Sequence, residues 1–177
     1  VIKKNITKRI FFILSLISFW PLFFSSQTRA ENLVITEFMA NNKDTIKDGY
    51  GENSDWIELH NPSSSEVNLA GLFLTDDRNN LRKWSFPEEA TTNSGAYLVI
   101  FASGKFRNSP KDPEGNLHTN FSIDDNGEYL ALIGTDGLKI IQEFEPILAS
   151  TPKNISYGIK TVDANLWSFG YFLEPSP

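Results

Sequence analysis

The chain has 177 residues, no cysteine and a formal net charge of −6. Its first 30 residues hold five of the 16 basic residues, so residues 31–177 carry 11 basic and 22 acidic residues, a formal charge of −11. That charge repels phosphate backbones and argues against nucleic-acid binding. It favours solubility, the holding of divalent cations or contact with a basic partner. Without cysteine, stability has to come from core packing and not from disulfides.

The first 30 residues have the layout of a secretory signal peptide. Four cations between residues 3 and 9 precede an apolar run over residues 10–24. The run is broken by Pro21 and is shorter than the ~20 residues that a membrane-spanning helix needs, so we expect a signal helix that is cleaved after Ala30. An uncleaved anchor is the alternative. Cleavage predicts a secreted, cell-surface or periplasmic protein with no membrane contact of its own.

Residues 31–177 are predicted to form one all-β domain. Short alternating runs are separated by Gly, Asn, Asp and Pro turn signals, and no helical period is evident. Many short strands of this kind favour an antiparallel β-sandwich. The predicted strands cover residues 33–39, 56–61, 69–75, 83–86, 97–102, 118–123, 129–134, 138–144, 155–159 and 166–172.

The second predicted strand carries the clearest strand pattern. Ile57 and Leu59 alternate with Glu58 and His60. This alternation predicts a half-buried strand with both polar side chains on its exposed face. Pro62 then ends the strand because proline cannot donate to a ladder.

Several segments of this chain follow one another in a recognisable order. They are DWIELHNP at 55–62, VNLAGLFLTDD at 67–77, KWSFP at 83–87, GAYLVIFASGK at 95–105, LHTNF at 117–121, NGEYLAL at 126–132 and SYG at 156–158. Together they resemble bacterial lamin tail domains over about residues 33–172. The resemblance implies an immunoglobulin-like β-sandwich that serves as an accessory module, often beside larger exported proteins.

The sequence departs from the pattern of that family in two places. Residues 91–94 replace the usual proline-bearing turn, and the chain stops at Pro177 without the glycine that commonly follows. We therefore expect a truncated C-terminus. The immunoglobulin-type cysteine pair is also absent, and its packing role is expected to pass to Trp56, Trp84, Phe86 and Tyr97. The alternative for these aromatic residues is a ligand-binding platform.

The connection over residues 40–54 is a candidate calcium site. Its carboxylates Asp44, Asp48 and Glu52 lead into Asp55, and calcium prefers such oxygen ligands. An EF-hand is rejected because Ile46 falls at the third ligand position and no flanking helices are predicted. A looser calcium site stays open beside the alternative of a solvated acidic turn with Asx hydrogen bonds. No other cofactor is predicted.

A second long connection, residues 104–116, is basic. Lys105, Arg107 and Lys111 could orient a partner or an anionic glycan, although such loops are usually only solvated. Of the two histidines, His60 is predicted to be exposed on its strand, and His118 is predicted to be buried and hydrogen-bonded.

Catalytic motifs are scarce in this sequence. There is no cysteine, no Gly-x-Ser-x-Gly and no glycine-rich phosphate loop, and nothing selects one pair among 22 acidic residues. We therefore predict a non-catalytic exported interaction module that binds a protein or glycan at the cell surface or in the periplasm. The alternatives are a carboxylate-based hydrolase and the N-terminal fragment of a larger exported enzyme.

Overall fold

The computed structural model describes residues 30–105, 111–145, 151–163 and 166–176. The described part is all-β apart from a short 3-10 turn at Ala30–Asn32. Its strands are β1 (Val34–Met39), β2 (Asp55–His60), β3 (Val67–Asn68), β4 (Phe73–Thr75), β5 (Trp84–Ser85), β6 (Thr91–Thr92), β7 (Tyr97–Ala102), β8 (Leu117–His118), β9 (Leu130–Ile133), β10 (Ile140–Phe144), β11 (Ser156–Asp163) and β12 (Leu166–Phe172). No helix among the described residues is long and apolar enough to cross a membrane. The predicted signal peptide lies almost wholly outside the described residues.

The strands form two main sheets and one small ribbon. The larger sheet has the order β12-β11-β1-β2-β7-β8, in which only the β7–β8 pair is parallel. The smaller sheet has the order β10-β9-β4-β5, and β3 pairs with β6. Sequence-distant neighbours such as β1 and β11 stand side by side in this arrangement, as expected of a sandwich with crossover connections. The all-β prediction is therefore confirmed.

The core lies between the two main sheets. The inner face of the larger sheet and the smaller sheet share one buried hydrophobic cluster. Phe38 on β1 meets Phe144 on β10 edge to face, with ring centroids 5.2 Å apart. A second, smaller cluster of Met39, Trp56 and Phe101 lies on the other face of the larger sheet, which we call the outer face. Side chains alternate across a strand, so residues two positions apart share a face.

The predicted strand boundaries hold best where local turn chemistry marks them. β7 and β12 have the predicted limits, and β9 and β10 form a hairpin whose turn includes Gly137. The predicted strand 118–123 is wrong beyond His118, because the Thr119 hydroxyl turns back to the Phe121 carbonyl at 2.6 Å. The predicted strand 69–75 is wrong in its first half, where Gly71 with a φ of 78° makes a turn.

Three of the four predicted core aromatic residues are buried. Trp84 and Phe86 pack edge to face in the main core, 4.7 Å apart. Trp56 is fully buried, but it belongs to the outer-face cluster. Tyr97 is 60% exposed, so its predicted place in the core is wrong. It lies on the outer face of β7, away from the main core cluster.

Candidate functional site

A β-bulge in β1 sets up the most unusual feature of the outer face. The register of β1 against β2 shifts between Ile35 and Glu37, and after the shift Glu37 lies directly opposite Glu58. The bulge is held from the opposite sheet by Gln142, whose side-chain amide accepts from the Ile35 N–H at 2.7 Å and donates to the Ile35 carbonyl at 3.1 Å. Bulges are frequent near binding and active sites because they redirect a side chain.

Both glutamates are buried although they lie on the outer face. Glu37 is 3% exposed and Glu58 is 4% exposed. The prediction that Glu58 lies on the exposed side of a half-buried strand is therefore wrong. β2 is central in its sheet, between β1 and β7, and the C-terminal Ser176 folds over its outer face.

The two carboxyl groups line a cleft of about 480 Å³. The residues that line the cleft include acidic, aromatic and aliphatic side chains. Its lining residues are Thr36, Glu37, Glu58, Tyr97, Val99, Ile159, Phe172 and Ser176. Cross-strand neighbours of this kind have their Cβ atoms about 4.5–5.5 Å apart, so the carboxyl groups of Glu37 and Glu58 interact with each other.

Hydroxyl groups supply most of the hydrogen bonds to the carboxyl pair. The Thr36 hydroxyl donates to Glu58 Oε1 at 2.6 Å, and the Ser156 hydroxyl donates to Glu37 Oε1. The Ser176 hydroxyl donates to Glu37 Oε2 at 2.5 Å and lies 3.4 Å from Glu58 Oε2. The Ser176 N–H also points at both Glu37 oxygens, at 3.3 and 3.4 Å. One serine of the C-terminal segment therefore contacts both carboxyl groups.

Burial raises the pKa of Glu58 above its ordinary value of 4.5. The Thr36 hydrogen bond opposes this rise, and the neighbouring charge of Glu37 adds to it. Desolvation and a like charge both disfavour the ionised form, so Glu58 holds a proton more tightly than a solvent-exposed glutamate does. Two interacting carboxyl groups titrate as a unit.

The charged groups around the cleft do not neutralise the pair. Among the described residues, neither Glu37 nor Glu58 forms a salt bridge. His60 stacks on Tyr97 with ring centroids 4.3 Å apart, so it is half-buried and not freely exposed as predicted. The Lys160 ammonium lies over the Phe172 ring, 5.2 Å from its centroid. The cleft can therefore accept hydrogen bonds or a positive charge.

The four carboxylates of the predicted calcium site face different partners. Asp44 contacts Lys153 and Asn154, and Glu52 pairs with Lys105. Asp48 is buried, and its oxygens accept from the N–H groups of residues 50 and 52 and from the hydroxyl of residue 54. Among the described residues, no three His, Asp or Glu side chains are grouped as metal ligands. Calcium binding by this loop stays a prediction.

Asp55, the fourth of these carboxylates, lies in a different environment. Burial raises its pKa to about 7, although backbone N–H groups of Asn42 and Ile123 and the charge of Lys43 oppose the rise. The charge of Asp125 adds to it. Asp55 is therefore half neutral near pH 7, which disfavours cation binding until the proton leaves.

The buried histidine predicted at position 118 is confirmed. His118 Nε2 lies 3.2 Å from Asp112 Oδ2, and Nδ1 lies 2.9 Å from the Ser103 hydroxyl. An ionised Asp112 only accepts, so it selects the Nε2–H tautomer and leaves Nδ1 to accept from Ser103. Asp112 also accepts from the Gly49 N–H at 2.6 Å. Asp112 and His118 thus connect the 40–54 loop to β8 and to the residue that follows β7, which is a structural role.

The basic loop has fewer free charges than its sequence suggests. Lys105 pairs with Glu52, and Lys111 lies 3.3 Å from Glu89. Arg107 falls outside the described residues. The described lysines of this loop therefore stabilise neighbouring acidic groups.

Sequence reasoning missed the carboxyl pair. Glu37 and Glu58 belong to different strands, and their juxtaposition depends on the one-residue shift at the bulge. One signal was present: each glutamate interrupts a run of apolar residues in a strand with strong hydrophobic character. A charged residue that is enclosed in this way is almost never fully buried without a partner, so it marks a site worth testing.

The fold and the sequence motifs agree with a known family. A search of curated proteins found no match. The family model for the Lamin Tail Domain matches residues 26–145, about two thirds of the chain. This match spans β1 to β10, including both strands that carry the carboxyl pair. The chain therefore belongs to the lamin tail domain family, a family of non-catalytic immunoglobulin-like domains.

Proposed function

We propose that this chain is an exported, non-catalytic interaction module that binds a partner protein through the outer-face cleft. The contact of Ser176 with the carboxyl pair is the observation that carries the proposal. Its N–H and hydroxyl both point at Glu37, and the hydroxyl reaches Glu58. A polypeptide segment thus already occupies the cleft in the way a ligand would.

The composition of the cleft supports recognition. Binding sites combine apolar and aromatic walls with a few placed polar groups, and this cleft has Tyr97 and Phe172 around two glutamates. Tyr97 is largely exposed while its ring stacks on His60, so it offers a rigid aromatic surface at the rim. Tyrosine is enriched among the residues that dominate binding energy at interfaces.

Peptide and glycan arrays test the proposal directly. Wild-type protein is compared with the double variant Glu37→Gln and Glu58→Gln, in which the glutamine carbonyls still accept hydrogen bonds while the charges are lost. The control is Asp77→Asn, a half-buried acidic position outside the cleft lining whose side chain closes an Asx turn to Asn79. We expect wild type and control to bind the same peptides and the double variant to lose them. Peptide signals that are equal in all three proteins would contradict the proposed site.

Glycan recognition is the other outcome of the same arrays. Aromatic side chains and carboxylates also suit sugar hydroxyls. Glycan signals that depend on both glutamates would therefore support the cleft as the binding site and identify the ligand as a glycan. The bound segment of the chain itself favours a polypeptide.

A hydrolase is the second candidate, because the structure does bring two carboxyl groups together in a cleft. Retaining glycosidases hold their carboxyl groups about 5–5.5 Å apart on either side of the sugar bond. Here both groups rise from neighbouring strands on one face and share a contact with Ser176. Release of nitrophenol from a panel of chromogenic glycosides, abolished by Glu37→Gln and by Glu58→Gln, would establish the hydrolase. We expect no turnover.

Export is proposed on the first 30 residues alone. Expression of the full chain in a bacterial host and mass analysis of the released protein test it. A released protein that begins at Glu31 agrees with cleavage after Ala30, and full-length protein retained in the membrane would favour the anchor.

A further inference from the structure

We infer that the cleft takes a cationic side chain, a lysine ammonium or an arginine guanidinium, carried on an extended segment of the partner protein, and that this group displaces Ser176. The inference rests on the proposed function and adds the chemistry of the ligand. It starts from two buried carboxyl groups that have hydrogen-bond donors but, among the described residues, no salt-bridge partner.

The electrostatic setting favours a cation as the occupant. A buried carboxylate is stable when it is paired with an opposite charge, and here the next charge is a second carboxylate. Ser176 supplies hydroxyl and N–H dipoles only. A lysine or arginine at the same place would supply donors together with a full charge, and such charge-assisted hydrogen bonds are about twice as strong as neutral ones.

The position of Ser176 defines how such a ligand would lie. The residue has proline on both sides in the sequence, and prolines hold a chain extended. Its hydroxyl lines the cleft and contacts both glutamates. A partner segment of the form Pro-Lys-Pro would follow the same path with the longer side chain directed at the carboxyl pair.

Among the described residues, the groups that surround Glu37 and Glu58 provide no salt-bridge partner, so a cation from a ligand could pair with the two carboxyl groups. Thr36 and Ser156 present hydroxyl groups that carry no charge, and the lining residues Val99 and Ile159 are apolar. Lys160 lies on the Phe172 ring at the cleft edge, and His60 stacks on Tyr97. None of the described cations forms a salt bridge with the pair.

A charge introduced within the chain gives the first test. Ser176→Lys is compared with Ser176→Met, which has a similar length and no charge, in the wild-type background and in the Glu37→Gln, Glu58→Gln background. At neutral pH we expect the melting temperature of Ser176→Lys to exceed that of Ser176→Met by at least about 2–4 °C, the shift that 1 kcal/mol produces in a chain of this size. The difference should vanish in the glutamine background, and it should shrink as the pH falls through the raised pKa of Glu58 and that carboxyl group becomes neutral.

A ligand added in solution gives the second test. The probe is acetyl-Pro-Lys-Pro-amide, its control is the norleucine analogue, and binding is followed by NMR on the backbone amides of Glu58 and Val99. We expect only the lysine peptide to shift these signals, and we expect it to bind more tightly to Ser176→Gly, because the competing hydroxyl is gone. If the two peptides shift the signals equally, the cationic class is overturned while the proposed cleft stands. If neither peptide binds and Ser176→Lys has the same melting temperature as Ser176→Met, the inference is overturned. The array experiment alone then decides the proposed function.

Discussion

Gly158 on β11 lies against the backbone of Thr36 on β1, so closely that the Thr36 carbonyl oxygen occupies the place of a side chain at position 158. A β-carbon there would also come within 2.8 Å of Glu37 Cα. The bulge that presents Glu37 to the cleft is therefore possible because its neighbour has no side chain.

Gly158→Ala should consequently destabilise the fold by at least about 1–3 kcal/mol, the usual cost of overpacking, because main-chain atoms cannot yield as a side chain can. Urea unfolding measures the change. Gly170→Ala is the matched control, since Gly170 pairs with Gly158 across β11 and β12 and the nearest atoms to a β-carbon there belong to the flexible side chain of Lys160. Equal losses in the two variants would mean that the β1–β11 contact does not constrain the bulge.

Trp84 provides a test of the sandwich core. It is 4% exposed and packs on Phe86 between the sheets. Trp84→Ala should cost about 3–5 kcal/mol by thermal or urea unfolding, as large-to-small substitutions in cores do. Ser85→Ala, on the exposed side of the same strand, should change stability little. An unchanged melting curve for Trp84→Ala would contradict the packing described for β5.

The sequence was sufficient for the fold class because local signals and periodicity agree over most strands. β7 could be predicted residue by residue, since Gly95 and Gly104 bound it and both adopt positive φ. His118 could be predicted as buried and hydrogen-bonded. The apolar residues Leu69 and Leu72 led to a predicted strand that begins too early, because a turn buries apolar residues as effectively as a strand does.

The candidate site was not predictable in the same way. Alternation assigns Glu58 to a face, but whether that face is covered depends on Ser176, which lies 118 positions further along the chain. The pairing with Glu37 depends on the shift at Thr36, and register at a bulge has no sequence signal in a single chain. Tyr97 was misplaced for a related reason: an aromatic residue in a strand fits a core or a binding surface equally well.

Asp112 should make the protein sensitive to acid. Burial favours its neutral form, but hydrogen bonds from Asn116, Gly49 and His118 outweigh burial and hold the pKa of Asp112 below its ordinary value of 3.8. The ionised carboxylate therefore contributes stability above that ordinary value, and the contribution is lost as the pH falls through the lower, folded-state pKa. Asp112→Asn should cost about 1–3 kcal/mol at neutral pH, with a smaller deficit at about pH 3.

Urea unfolding at several pH values measures the effect of Asp112→Asn. Asp77→Asn serves as the control, because asparagine can keep the hydrogen bond to the Asn79 N–H. A deficit for Asp112→Asn that stays constant from acid to neutral pH would show that the carboxylate charge does not matter to the loop contacts.

Asp55 should give stability the opposite pH dependence. With its pKa raised from 3.8 to about 7, mainly by burial, the folded protein binds this proton more tightly than the unfolded chain does. Its contribution to stability is then complete below about pH 4 and is lost as the pH rises to about 7. Asp55→Asn should flatten this decline relative to wild type, as measured by melting temperature against pH. Asp125→Asn should retain the decline with a lower midpoint, because it removes the neighbouring charge that adds to the rise. Parallel curves for wild type and Asp55→Asn would rule out a buried, proton-holding Asp55.

The most direct test of the account follows the side-chain carboxyl carbon of Glu58 by NMR through a pH titration. We expect a midpoint above 4.5 in the wild-type protein, because Glu58 is buried beside Glu37. We expect a lower midpoint in Glu37→Gln, where the neighbouring charge is gone, and in Ser176→Lys, where a cation faces the pair. A midpoint of 4.5 or below in the wild type, unchanged by either substitution, would contradict a buried carboxyl pair and with it the proposed binding site.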